Sequence, residues 1–195
     1  MAMHAPSLSY DAIIVAGGAG RRMGGVSKAD LVVDGSRLLD TVVSAVRDAR
    51  QTVVVGDASV PDGVVLTRED PPGTGPAAGL GAGLAAVECP RPWTMVLCVD
   101  LPDAARVVAR LLDAARVAED HFDGAVIVAE NRTQWLMGCY RTSALRGAVE
   151  AFGNLEHAPL RRVLSPLRLA HTSPGDALPI DLDSQEDLAR WAKLR

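Results

Sequence analysis

An α/β fold, with a mainly parallel sheet wrapped by helices on both faces, is what the sequence predicts, and two observations predict it. Its short apolar runs are mostly continuous rather than alternating, as strands buried on both faces are. Between them lie segments whose apolar residues recur at helical spacing, and strands that alternate with helices build a parallel sheet.

AIIVA (12–16) is the first strand. RLLDTVVSAVRDA then sets Leu38, Leu39, Val42, Val43 and Val46 on one apolar face and reads as a helix. TVVVG (52–56) and GVVLT (63–67) are the next strands, and Pro71 with Pro72 marks a loop. GPAAGLGAGLAAVE is a helix of mixed propensity, whose glycines suggest a close approach of backbone to something. TMVLCVD (94–100) is a strand, followed by AARVVARLLDAARVAED with Val107, Val108, Leu111, Leu112 and Ala115 on one face. GAVIVA (124–129) and WLMGCY (135–140) complete the strands; within the last, Trp135 is either core or a platform for a flat ligand. Arg161 and Arg162 belong to a further helix, where they either meet a second phosphate or face solvent. HTSPGDALP is expected to be a loop, and SQEDLARWAKL opens a closing helix on a variant capping box, Ser184 with Asp187.

At 195 residues, 48% hydrophobic and 23% charged, the chain has the composition of one soluble globular domain, 1–195, with residues 1–10 expected as a flexible N-terminus. Folding at this length removes about 70% of the extended chain's surface from water, enough for a core without disulfides or metals. A net charge of −4 argues against a nucleic-acid partner, so a local basic cluster carries more meaning than it would in a basic protein. Cys89, Cys98 and Cys139 lack metal or redox spacing, and two lie in apolar runs, which implies a reducing compartment. The four histidines show no ligand spacing. No apolar run approaches the roughly 18 residues of a membrane span and the start resembles no leader, so a cytoplasmic protein without a membrane partner is expected.

In a parallel sheet, ligands sit beyond the carboxyl ends of the strands, so the loops there carry the functional reading. After AIIVA come Gly17, Gly18 and Gly20, which let backbone amides crowd around phosphate oxygens, and Arg21, Arg22 and Lys28 add positive charge. Met23 breaks the dinucleotide fingerprint, and Ser27 before Lys28 breaks the Walker loop. In REDPPGTGPAAGLGAGL, Gly75, Pro76 and Gly79 shape a tight entry into a helix whose positive end suits an anion or a base edge. Asp100 ends an apolar strand and Pro102 stops it; the carboxylate is either a turn residue or a holder of Mg²⁺ against a triphosphate.

The succession AGGAGRRMGGVSK, GPAAGL, VDLP resembles the molybdenum cofactor guanylyltransferases, within the wider group of nucleotidyltransferases built on the same glycine-rich Arg-Met-Gly and Lys loop. TQWLMGCYRTSALRGAV and IDLDSQEDLARW extend the resemblance across nearly the whole chain. It implies a three-layer α/β/α, Rossmann-like nucleotidyltransferase fold with one antiparallel strand in an otherwise parallel sheet. It implies GTP and molybdopterin as substrates, Mg²⁺ as cofactor, and molybdoenzymes or pterin-delivering proteins as partners. The pterin's terminal phosphate attacks the α-phosphorus of GTP, and pyrophosphate leaves. Lys28, Arg22 and Asp100 would be catalytic, Asp100 as the metal ligand. Ala16, Gly17, Gly18, Gly20, Lys28, Asp70, Gly75, Pro76 and Gly79 would bind the nucleotide.

The chain departs from the family pattern at three places. Ser27 stands where an Asp usually precedes the lysine, Gln134 and Trp135 replace a pair ending in proline, and Asp181 with Asp183 stands where two asparagines are usual. Asp181 or Asp183 would complete a two-metal arrangement. The alternatives are cytidylyl or sugar-phosphate nucleotidyl transfer on the same fold, a nucleotide-binding module without turnover, and a nicotinamide oxidoreductase. Met23, and the lack of an acidic residue ending a second strand at the right spacing, disfavour the last.

Overall fold

The computed structural model describes residues 8–17, 27–118 and 121–175. β1 (Tyr10–Val15) is followed by a 3-10 turn (Lys28–Asp30) and a short hairpin, β2 (Val32–Val33) and β3 (Ser36–Arg37), leading into α1 (Leu38–Ala45). β4 (Thr52–Val55), β5 (Val65–Thr67), α2 (Pro76–Ala86), β6 (Trp93–Cys98) and α3 (Ala104–Val117) come next. β7 (Gly124–Ala129), β8 (Arg132–Arg141), α4 (Thr142–Phe152), α5 (Leu160–Leu164) and β9 (Leu169–Thr172) complete the described chain.

Among these residues, seven strands form one sheet in the order β5-β4-β1-β6-β8-β7-β9. Every pairing is parallel except those of β8, which runs antiparallel to both β6 and β7. The single antiparallel strand is therefore the WLMGCY run. Successive residues of a strand point to opposite faces, so β1 feeds two cores at once. Ala12 and Ile14 pack with Leu39, Val42, Val107, Val108 and Leu111 of α1 and α3. Ile13 and Val15 pack with Leu80, Leu84, Leu145 and Leu160 of α2, α4 and α5. Three layers follow.

Several boundaries differ from those read in the sequence, each for a physical reason. β1 starts at buried Tyr10, taking in the end of the stretch expected to be flexible. β5 lies at the sheet edge with Leu66 47% exposed, so it is not a strand buried on both faces. β9 takes in His171 and Thr172, part of the segment read as a loop, because Leu169–Thr172 adds in parallel to the free edge of β7. The closing helix on Ser184 lies outside the described residues.

The glycines of α2 answer the question their composition raised. Gly83 lies against the sheet, where a Cβ would stand 2.5 Å from Ile13 Cγ2 and 3.0 Å from Val55 Cγ2, and Gly81 faces Leu155 on the other side. The helix is thus covered from two directions, as an apolar-all-round helix must be. Gly83→Ala gains up to about 1 kcal/mol of helix propensity but overpacks β-branched neighbours that cannot swing away, at a cost of about 1–3 kcal/mol. A lower urea midpoint with unchanged slope is the expected outcome; a raised midpoint would show that the helix can lift off the sheet freely.

Candidate active site

Strands β4, β1 and β6 are parallel neighbours, so their carboxyl ends share one rim. Val15 pairs with Val55 on one side and Cys98 on the other. The pairing runs on past the strands, since Ala16 N–H donates to Val55 O at 2.8 Å and Val99 N–H to Val15 O at 3.2 Å. This register brings the loop beginning Ala16–Gly17 beside the turn that carries Asp100. Gly56 braces the same loop from the far side: at φ +143° its absent Cβ would stand 3.1 Å from both Ala16 C and Gly17 N.

A cleft of about 220 Å³ opens at this rim, lined by Val15, Gly17, Glu69, Gly73, Gly75, Pro76 and Gly79. Four residues singled out in the sequence, Gly17, Gly75, Pro76 and Gly79, thus meet around one space. Gly75, at φ +103°, turns the chain into α2, where Pro76 sits in the first turn and no side chain caps the helix. The leading amides of such a helix have no intrahelical acceptor, and its dipole adds positive potential, so this wall suits phosphate oxygens or a polar base edge.

The carboxylate in this cleft is Glu69, which the sequence reading did not single out. Its Oε1 accepts from Gly73 N–H at 2.9 Å, and its Oε2 lies 4.0 Å from where a Cβ of Gly79 would stand. Asp70, expected near the nucleotide, is exposed and does not line the cleft. Asp70 sits in a bend immediately before Pro71, which leaves Glu69 as the carboxylate that lines the cleft.

Lys28 and Asp100 meet across 72 positions of sequence, Nζ to Oδ2 at 2.7 Å, with 22% and 14% of their side chains exposed. The lysine is held by its turn: buried Ala29 anchors it, and Leu31 N–H donates back to Lys28 O. Arg37 ties the turn to α1, donating to Asp30, to Asp40 and to Ser59 O. The Arg37 hydrogen bond holds the Asp40 carboxyl below the usual carboxylate range. Asp100 follows β6 by two residues, and buried Leu101 beside it fixes the turn.

A second cleft, of about 290 Å³, is lined by Cys98, Asp100, Leu160 and the run Thr133 to Met137 of β8. Asp100 therefore borders this cleft while its strand neighbours the one that delivers Gly17 to the first. Trp135 is half-buried: it packs against the core under α2, α4 and α5 and also walls the cleft. Arg161 and Arg162 on α5 face solvent.

Among the described residues no group of three or more His, Cys, Asp or Glu could hold a metal. Asp100 alone fits Mg²⁺ of the kind that arrives with phosphate oxygens and keeps one or two carboxylate ligands, not an ion in a protein cage. Gly18, Gly20, Arg22, Asp181 and Asp183 lie outside the described residues.

A model of the MobA-like NTP transferase domain matches residues 12–172. A protein of Acidiphilium cryptum named molybdenum cofactor guanylyltransferase is 35% identical over 148 residues, covering 72% of this chain and 71% of that protein. A probable molybdenum cofactor guanylyltransferase of Bacillus cytotoxicus is 28% identical over 141 residues, 68% of each chain. Among solved structures, molybdopterin-guanine dinucleotide biosynthesis protein A from Archaeoglobus fulgidus superposes with a TM-score of 0.70 at 18% identity, covering 94% of this chain and 97% of that one. The 2-C-methyl-D-erythritol 4-phosphate cytidylyltransferase from Thermus thermophilus superposes at 0.69 and 23% identity, covering 96% and 98%. At such identities these two structures speak for the fold alone.

Proposed function

Because the chain belongs to the MobA-like NTP transferase family, whose members are nucleotidyltransferases, we propose that it transfers GMP from GTP to molybdenum-loaded molybdopterin, forming molybdopterin guanine dinucleotide and releasing pyrophosphate. The observation that carries this reading is the Lys28–Asp100 ion pair, whose carboxylate lines the second cleft and follows the strand paired with the one that leads to the first. The cation that would neutralise the leaving phosphates and the carboxylate that would serve the transferred one are thus hydrogen-bonded to each other.

The first cleft would hold the nucleotide and the second the acceptor. The acceptor's terminal phosphate oxygen forms a bond to the α-phosphorus of GTP, and the bond from that phosphorus to the bridging oxygen of the β-phosphate breaks in line. Such a reaction needs positioning and charge neutralisation more than covalent help. The amides of Gly17 and of the first turn of α2 orient the phosphates, and Lys28 neutralises charge building on the leaving pyrophosphate. Asp100 would hold Mg²⁺, which would supply charge neutralisation at the transferred phosphate.

Glu69 supplies a reason for the base. Guanine offers two donors side by side, its N1–H and 2-amino group, which one carboxylate accepts together, whereas cytosine and adenine offer an amino group beside an acceptor. Thermal stabilisation by GTP, CTP, ATP and UTP with Mg²⁺ is the test, since a ligand that binds only the folded state raises the melting temperature with RT ln(1 + [L]/Kd). The largest shift is expected with GTP, and Glu69→Gln should weaken GTP about tenfold, the effect of leaving a charged hydrogen bond unmade. If CTP stabilises most, cytidylyl transfer replaces guanylyl transfer. Pyrophosphate release from GTP only when molybdopterin is present completes the test.

A further inference from the structure

We propose that Tyr140, which reaches neither reactant, is a positioning residue for the acceptor; this rests on the reading that the second cleft receives the acceptor. β8 pairs with β7 in two registers. Gly124 to Val126 face Tyr140 to Gly138, whereas Ile127 to Ala129 face Gln134 to Arg132. Trp135, Leu136 and Met137 are left between the two registers, and of these Met137 still pairs with Leu97 on β6. The chain therefore arches at Trp135 and Leu136, and the arch forms the wall of the cleft beside Asp100. Bulges of this kind re-aim side chains beside functional sites and end regular pairing.

An arch outside the ladder leaves carbonyls that need a donor. Tyr140, fully buried, donates its hydroxyl to Trp135 O at 2.8 Å. Its ring lies across Gly138, where a Cβ would stand 2.5 Å from Cε2 and Cζ and 2.6 Å from the hydroxyl oxygen. Only glycine at 138 admits the ring, and only with the ring there does the hydroxyl meet the arch. Burial pushes the hydroxyl far above its ordinary titration range, which keeps it protonated and able to donate. A buried hydroxyl needs an acceptor in any case, and here the acceptor is Trp135 O, in the stretch of β8 that leaves the ladder and walls the cleft.

Tyr140→Phe keeps the ring and its packing and removes the donor. The expected result is an acceptor KM raised about tenfold, the effect of one hydrogen bond, with kcat within about threefold and stabilisation by GTP with Mg²⁺ unchanged. Amide hydrogen exchange should quicken at residues 134–137 and stay unchanged at 94–97 on β6. Gly138→Ala, which displaces the ring from the other side, should give the same split. An unchanged acceptor KM in Tyr140→Phe, while the wild type turns over, overturns the inference and leaves the proposed function standing. An equal loss of GTP stabilisation also overturns it, by showing a general structural role. No turnover of GTP with molybdopterin by the wild type overturns instead the reading of the cleft on which the inference rests.

Discussion

Asp100→Asn is expected to lower nucleotidyl transfer by about a thousandfold, the scale of losing one preorganised charge contact in the transition state. The substitution is nearly isosteric and keeps an oxygen that can accept from Lys28, so the fold should survive. The ion pair is neither fully exposed nor fully buried, and weakening it should cost about 1–2 kcal/mol, between the values for surface and buried pairs. Two readouts separate chemistry from stability. Circular dichroism should remain that of the wild type, and the Mg²⁺ dependence of stabilisation by GTP should disappear while stabilisation by the nucleotide itself persists. Turnover within tenfold of the wild type would remove Asp100 from the centre of the mechanism. So would a metal dependence that survives the substitution.

How much of this was legible in the sequence depends on what each residue needed to reveal itself. Asp100 and Lys28 carry chemistry and sit at the ends of readable elements, an apolar run stopped by Pro102 and a glycine-rich turn. That they meet follows from β1 and β6 being neighbours in the sheet, which periodicity does not disclose but the family resemblance implies. The meeting of Gly17 with Gly75, Pro76 and Gly79 is of the same kind. Glu69 was hidden by its neighbour: two carboxylates stand side by side, and only the course of the loop into α2 decides which turns into the cleft. Gly56 looked like the end of a strand, because its role is to make room for the backbone at Ala16 and Gly17, and those contacts are 40 and 39 positions distant in sequence. The arch in β8 lay inside an apolar run that reads as plain strand, and Tyr140 inside that run reads as core. β9 escaped because a four-residue strand with His171 and Thr172 has too few apolar positions to show a period. What failed to show, then, was whatever depends on which element lies next to which.

Lys28→Gln is the second large effect: kcat/KM for GTP should fall about a hundredfold, since a cation placed on phosphate contributes a charge-assisted hydrogen bond that a neutral amide cannot replace. Lys28 Nζ lies 2.7 Å from Asp100 Oδ2. A triphosphate entering the first cleft would bring several negative charges, and at comparable distances the Coulomb energy scales with charge, so the ammonium would be drawn toward the phosphates. Lys28→Gln should consequently affect GTP binding and turnover together, in contrast to Asp100→Asn, which is expected to act mainly on turnover. It should also flatten the salt dependence of GTP binding, because the partner removed is a charge at the rim. Lys28→Arg tests the geometry separately from the charge. A planar fork on a differently shaped stem replaces a compact point charge, and activity should recover only in part although the charge is fully restored. For stability, the two neutralising substitutions should be non-additive, the double variant losing less than the sum because the ions lost are each other's partners. Equal GTP affinity in Lys28→Gln and wild type, at low salt where charge effects are largest, would show that the turn holding Lys28 is not the phosphate cradle.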